Sequence, residues 1–352
     1  MIKPITNCTR FLSATLIAAS ISACVATALP EQVSYLGDID TPRPYDVAVS
    51  NNTAYVTSNT NGFSIMDVSN PAAPAQISQI TAAQNPNINK AVDVKVRNGF
   101  AYVGGVGGLV VLDVANPAAP DEVSFTPITN IRGIELVGNL AYVLSLNDGL
   151  YIFNVANPAA PALVSLMPYS GLNFVTSANR LAIEGGYAFL KSHPTDSSNQ
   201  GVEIIDISNP NNPTLAGGIQ TSHSPGMLVK GNTLFLTHVN QGTLQAYDIT
   251  TPATPSLAGS FADSDGIAFD KPIPFTTEGN LLYVWSKADA GDADPAGISV
   301  LDISNPANIV HKVSLFDDAS MRLESARSVN KFGDKLYLPI YWDQSLEILS
   351  IQ

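Results

Sequence analysis

Basic side chains are scarce in this 352-residue chain, and where they fall is its first chemical signal. Seventeen lysines and arginines stand against thirty aspartates and glutamates, for a net charge of −13. Arg43, Lys90, Arg132, Arg180, Lys271 and Arg327 each sit at or just before the start of an apolar segment, and His223 takes the corresponding place in one further interval. Arginine grips carboxylate or phosphate bidentately, and lysine adds a point charge. Brought to one point of a fold, these residues would focus positive potential inside an acidic protein and bind an anion or an acidic partner group. The competing role is local pairing with Asp46, Asp93, Glu135 and Asp270, because charges in a crowded place need partners.

Other chemistries have thinner support. His193, His223 and His238 suit a transition metal, and Asp289, Asp292 and Asp294 alternate oxygen donors as calcium would require. Ligand spacing across such loops is undefined, so no metal and no cofactor is expected, and exposed loop polarity accounts for these residues. Tyr169, Phe174, Phe269, Tyr341 and Trp342 could line a sugar or peptide groove, although packing of loops explains them equally. HExxH, CxxC, GxSxG and Walker motifs are absent from the sequence. Gly104–Gly108 is glycine-rich but joins two strand-like runs, so it is a turn and not a phosphate cradle. The acidic composition excludes a nucleic-acid footprint.

The elements that must position these residues are repeats. Gly108–Pro120 reads GLVVLDVANPAAP, and near-copies begin at Gly62, Gly149, Gly201 and Gly297, with a weaker one at Gly242 and a degenerate one ending the chain. The marker positions Asp67, Asp113, Asn154, Asp206, Asp248, Asp302 and Ser350 are spaced by 46, 41, 52, 42, 54 and 48 residues. That is the period of a four-stranded propeller blade, and the short apolar runs between Gly and Pro exclude helical repeats. The marker is expected to accept hydrogen bonds from the Asn-Pro turn that follows it.

The runs LVVLD at Leu109–Asp113, VEIID at Val202–Asp206 and ISVLD at Ile298–Asp302, each followed by Asn-Pro, resemble the LVIVD-repeat family of bacterial and archaeal surface propellers. The resemblance covers nearly all of the chain after its leader and implies fold far more than function, since propellers host many unrelated activities.

An all-β fold follows: a seven-bladed β-propeller of four-stranded antiparallel blades, strands a to d running outward. Seven two-residue a–b turns, Asn51-Asn52, Asn98-Gly99, Gly138-Asn139, Gly185-Gly186, Gly231-Asn232, Gly279-Asn280 and Gly333-Asp334, suit tight hairpins. The seventh unit lacks its outer strand, and Glu31–Tyr35 resembles strand d elsewhere, so the N-terminal strand completes the last blade and closes the ring. The b–c and d–a connections share one elaborated face, here called the top. The basic set then lies at the top mouth of the central channel. Odd offsets from strand b predict that Arg43, Lys90, Arg132, Lys271 and Arg327 face alike, with Arg180 out of phase.

Residues 1–23 read as an export signal, with Lys3 and Arg10 ahead of an apolar run at Phe11–Ile21 too short to span a bilayer comfortably. Ile21-Ser22-Ala23-Cys24 looks like a lipobox that makes Cys24 a lipidated first residue; cleavage after Ala26-Thr27-Ala28 is the rival. Residues 24–30 would be a tether and 31–352 a single propeller domain. Export leaves 15 basic against 30 acidic residues. The expected protein is exported, an outer-membrane lipoprotein or cell-surface protein, otherwise periplasmic or secreted. Its only membrane contact is the lipid, and its partner is a protein or an anionic ligand. The leading role is non-enzymatic binding or scaffolding. The alternative is a metal-dependent hydrolase or lyase using the top-face His and Asp residues.

Overall fold

Short apolar runs bounded by turn residues become strands because no run is long enough for a helix to bury a face. The computed structural model describes residues 33–193, 200–221, 226–238, 241–262, 269, 272–286, 296–316, 323 and 325–351, without the side chains of Pro274 and Phe275. They form seven four-stranded antiparallel sheets. The innermost strands touch one another in order around a ring, blade seven returning to blade one. Cys24 lies outside the described residues, as do His223, Lys271, Asp270 and the three loop aspartates 289, 292 and 294.

The strand Val33–Asp40 pairs with the C-terminal strand Ser345–Ile351, from Val33 opposite Ile351 to Asp40 opposite Ser345. Blade seven is therefore built from both ends of the chain, as the missing outer strand predicted. The core lies between blades. Tyr102, Leu109 and Val111 of blade two pack with Ile134, Ala141 and Val143 of blade three, all buried. Burial of such a side chain contributes about 1.5–3 kcal/mol, so the blades hold each other through their faces while their edges stay short.

The a–b hairpins divide into two kinds. Asn51-Asn52, Asn98-Gly99 and Gly185-Gly186 hold both residues at positive φ, whereas at Gly138, Gly231, Gly279 and Gly333 only the first is positive. These match the two tight hairpin turns, of which the second needs glycine in the first place.

The marker residue does what its position predicts. Oδ1 of Asp67, Asp113, Asn154, Asp206, Asp248 and Asp302 accepts a hydrogen bond from the backbone N–H two residues on, at 2.8–2.9 Å. These bonds, from side chain and backbone of the turn residue, hold the Asp67, Asp206, Asp248 and Asp302 carboxyls below the usual range. The Asn-Pro turn then joins neighbouring blades. Ser78, Ser124 and Ser165 Oγ donate to the carbonyls of Pro117, Pro158 and Pro210 in the next blade, at 2.6–2.8 Å. At the same bulged point of strand d, Gly37, Gly217 and Gly259 leave so little space that a Cβ would meet the next blade's Pro71, Pro252 or Pro306 carbonyl within 2.3 Å.

Candidate functional site

Around the top of the ring, strand a begins with an extra residue. In blade one Pro44 pairs with Ser58 and Asp46 with Thr57, so Tyr45 is the bulge; Arg132 and Asn179 hold that place in blades three and four. A bulge turns one side chain without a partner and reverses the parity of everything before it. The expected facing is accordingly corrected. Arg132, Arg180 and Arg327 line one channel cavity of about 680 Å³, and Arg43 and Lys90 do not. Those two stand just ahead of the strand at positive φ, 45° and 52°. Arg180, the expected exception, is inside as well: it follows the bulge residue, whose place Arg132 holds in blade three, and both positions line the cavity, as Tyr45 and Asp46 do in blade one.

Asp46, Asp93 and Glu135, expected as partners of these arginines, line the same cavity but engage other groups. Asp93 and Glu135 both bind Lys95, with Nζ at 3.6 Å from each. Asp46 Oδ2 and Asp93 Oδ2 also accept the N–H groups of Val94 and Ile134 in the following blade. Burial pushes the Asp93 carboxyl up to about 7, with Lys95 opposing and Asp46 and Glu135 reinforcing. Burial pulls the Lys95 ammonium down, but Asp93, Glu135 and Asp46 outweigh it and hold its pKa above the lysine range. Blades one to three thus present three carboxylates gathered around one lysine.

The other cations of the cavity come from blades three, four and seven. Among the described residues no carboxylate forms an ion pair with Arg132, Arg180 or Arg327. Arg132 Nε is buried without a hydrogen-bond partner, and an Arg180 Nη donates at 3.4 Å to the Arg327 carbonyl across the channel. Lys191, cross-strand from Arg180 and only 6% exposed, also lines the cavity. Burial, reinforced by the Arg180 charge, lowers its pKa to about 7.

Where blade seven meets blade one, the cations lie on aromatic rings. The Arg327 guanidinium is 4.6 Å from the Tyr341 ring centroid and 5.8 Å from that of Tyr45; Arg43 is 6.0 Å from Tyr341. Trp342 packs edge-on against Tyr341 at 4.9 Å and is 68% exposed at the cavity rim. The other expected groove aromatics pack loops. Tyr169 is buried with its hydroxyl donating to the Ser145 carbonyl, Phe269 is fully buried against Phe261, and Phe174 is half-buried beside Gly218. Glu203, buried, pins the loop before blade four by accepting the N–H groups of Asn173, at 2.6 Å, and Phe174.

His193 lines the channel, whereas His238 bonds Gln245 through Nε2 at 2.8 Å. Among the described residues no three of His, Cys, Asp and Glu group as metal ligands. Sequence reasoning missed Lys95 and Lys191. Lys95 follows Asp93 by two residues, hence shares its strand face. Lys191 ends the apolar run Tyr187–Leu190, and a lysine continuing such a run marks a buried amine.

The LVIVD-repeat model matches residues 44–81, 89–125, 130–167, 176–221 and 290–316, just over half of the chain. The chain belongs to the LVIVD-repeat family. Its matched segments cover blades one to four and the outer half of blade six, which are the blades with the Asn-Pro turn in its full form. No curated protein matches the chain. Among solved structures, this LVIVD-repeat chain is similar to the computationally designed Ika8 protein, at 10% identity and TM-score 0.60, over 90% of this chain and 100% of that one. It is similar to the N-terminal domain of Nup159, at 9% identity and TM-score 0.56, over 92% and 96%. It is also similar to a chain in the mitotic checkpoint complex, at 11% identity and TM-score 0.59, over 96% and 98%. Likeness at this identity shows the fold alone. Family and fold support a binding or scaffold role.

Proposed function

We propose that this protein is a non-enzymatic cell-envelope propeller that engages an anionic group of a ligand or partner at the top mouth of its channel. The observation that carries the reading is how the cavity's charges are paired. Lys95 pairs with Asp93 and Glu135, while Arg132, Arg180 and Arg327 converge on the same cavity from blades three, four and seven with no carboxylate partner among the described residues. A cationic wall in a concave, partly buried site raises the local concentration of anions and strengthens each contact relative to water. Arg43 and Lys90, which do not line the cavity, are assigned to steering an anion inward, and Lys271 and His223 lie outside the described residues. The lipobox reading of Cys24 supports an envelope address, because two or three acyl chains hold a protein stably where one is marginal.

Calorimetric titration with tripolyphosphate tests the site. The parent should bind, and Arg132→Ala combined with Arg327→Ala should weaken binding at least about tenfold with the fold intact. Equal affinity in the double variant would remove the site. Intact mass of the mature protein should show lipid on Cys24, and an N-terminus at Leu29 would exclude it.

A further inference from the structure

The channel mouth offers more than charge. Besides Asp93 Oδ1, which has Lys95 Nζ at 3.6 Å, three polar atoms on residues lining the same cavity, Arg132 Nε, Asn179 Oδ1 and Ser328 Oγ, are buried without hydrogen-bond partners among the described residues. One is a donor, one an acceptor, and one can be either. Leaving such groups unsatisfied is costly, so a ligand that meets all three gains much of its affinity there. A hydroxyl both donates and accepts, and a ligand carrying several hydroxyls can serve the three atoms together. Trp342 adds a flat apolar face at the rim. Its backbone N–H is held by Ser325 Oγ at 2.8 Å and its ring by Tyr341, so the exposed indole is preorganised. Such a fixed aromatic face lowers the ordering cost of binding a flat, CH-rich ring. Arg327, over Tyr341, stands beside it as the fork for a carboxylate.

We infer that the mouth takes an acidic saccharide, a uronic-acid unit whose carboxylate meets the arginine wall, whose hydroxyls meet Arg132, Asn179 and Ser328, and whose ring stacks on Trp342. The inference rests on the anion-binding reading above and narrows it to one ligand class. A phosphate oligomer would satisfy the arginines but leaves Trp342 and the Asn179 oxygen unused. A neutral sugar would use Trp342 but leaves the cationic wall uncompensated. An acidic peptide supplies carboxylates without the hydroxyls.

The chain contains two tryptophans, and Trp285 is 3% exposed with its Nε1 donating to the Leu323 carbonyl at 2.8 Å. Trp285 also lines the cavity, so an emission change is assigned to Trp342 by its loss in Trp342→Ala. The full propeller is titrated with trigalacturonate, cellotriose, triglutamate and tripolyphosphate. Trigalacturonate should shift the emission and bind at least about tenfold more tightly than cellotriose or triglutamate. Trp342→Ala should cost trigalacturonate about tenfold and leave tripolyphosphate unchanged, and Trp342→Tyr should restore most of the loss. Asn179→Ala should likewise weaken trigalacturonate and spare tripolyphosphate. Binding of tripolyphosphate with none of trigalacturonate overturns the saccharide assignment and keeps the anion site. Binding of neither overturns both. Triglutamate binding as tightly as trigalacturonate reassigns the mouth to an acidic peptide, and trigalacturonate affinity unchanged in Trp342→Ala removes the stacking platform.

Discussion

The two faces of this propeller solve different problems with the same strands. On the bottom face six blades use one device: a side-chain oxygen at the end of strand c accepts the N–H two residues on. The turn it shapes offers a proline carbonyl to the preceding blade. At the channel mouth equivalent positions differ from blade to blade. The bulge residue is Tyr45, Arg132 or Asn179, and the position after it is Asp46, Asp93, Gly133 or Arg180. On the bottom the backbone itself sets the demand, so each blade meets it with the same residue types. At the mouth the backbone asks only for a strand, and the side chains are left to make one asymmetric site with an acid–lysine cluster and an arginine cluster.

The comparison presumes one closed ring, so the largest effect comes from opening it. Deleting 33–40 strips the outer strand from blade seven and exposes the edge of Ser345–Ile351. The loss should be comparable to the whole stability of a domain, ~5–15 kcal/mol. The expected outcome is no soluble monomer, read by size-exclusion chromatography. A deletion variant that melts like the parent would contradict closure by the N-terminal strand.

A second variant separates the elaborated loops from the turns. Glu203→Ala frees the N–H groups of Asn173 and Phe174, which the buried carboxylate now accepts. Losing two hydrogen bonds to a buried charged acceptor should cost about 3 kcal/mol in chemical denaturation. By contrast, Asn154→Ala removes one exposed turn bond, Oδ1 to the Ala156 N–H. That loss should be only about 0.5–1 kcal/mol. Equal costs would mean that the top loop is not pinned by Glu203.

The fold was legible because its signals are local. Asn-Pro after an acidic marker, and seven turn pairs that tolerate positive φ, are each readable within a few residues. That the N-terminal segment supplies the missing outer strand was readable because strand d repeats its own composition, but the register was not, since Gly37 and not Ser34 takes the place of Ser124. The facing of the arginines was not readable, because a bulge adds a residue without changing the pattern around it. Counting back from strand b put Arg43 with Arg132, whereas the bulge put Arg180 there. The partner of Asp93 was misread for a related reason. Lys95 lies two residues along its own strand, whereas the expected partners stand at strand starts.

A smaller effect probes the arginine wall through its neighbour. Lys191 titrates near 7 in the fold against 10.5 for an ordinary lysine. Between those values the unfolded chain carries a proton that the native state lacks, so this group makes stability rise with pH across that window. Urea denaturation from pH 7 to pH 10 should show that rise, and Lys191→Met should flatten it. An unchanged slope in the variant would place the amine in water.

The central claim is that Arg132, Arg180 and Arg327, with no carboxylate partner among the described residues, are available to an external anion. The most direct measurement is the dependence of tripolyphosphate affinity on sodium chloride concentration, in the parent and in Arg132→Ala with Arg327→Ala. Exposed charge attraction is screened within about 10 Å at 0.1 M salt. The account predicts that affinity falls steadily with salt in the parent, and that the double variant binds weakly with a much flatter dependence. Affinity independent of salt, or the same slope in both proteins, would contradict it.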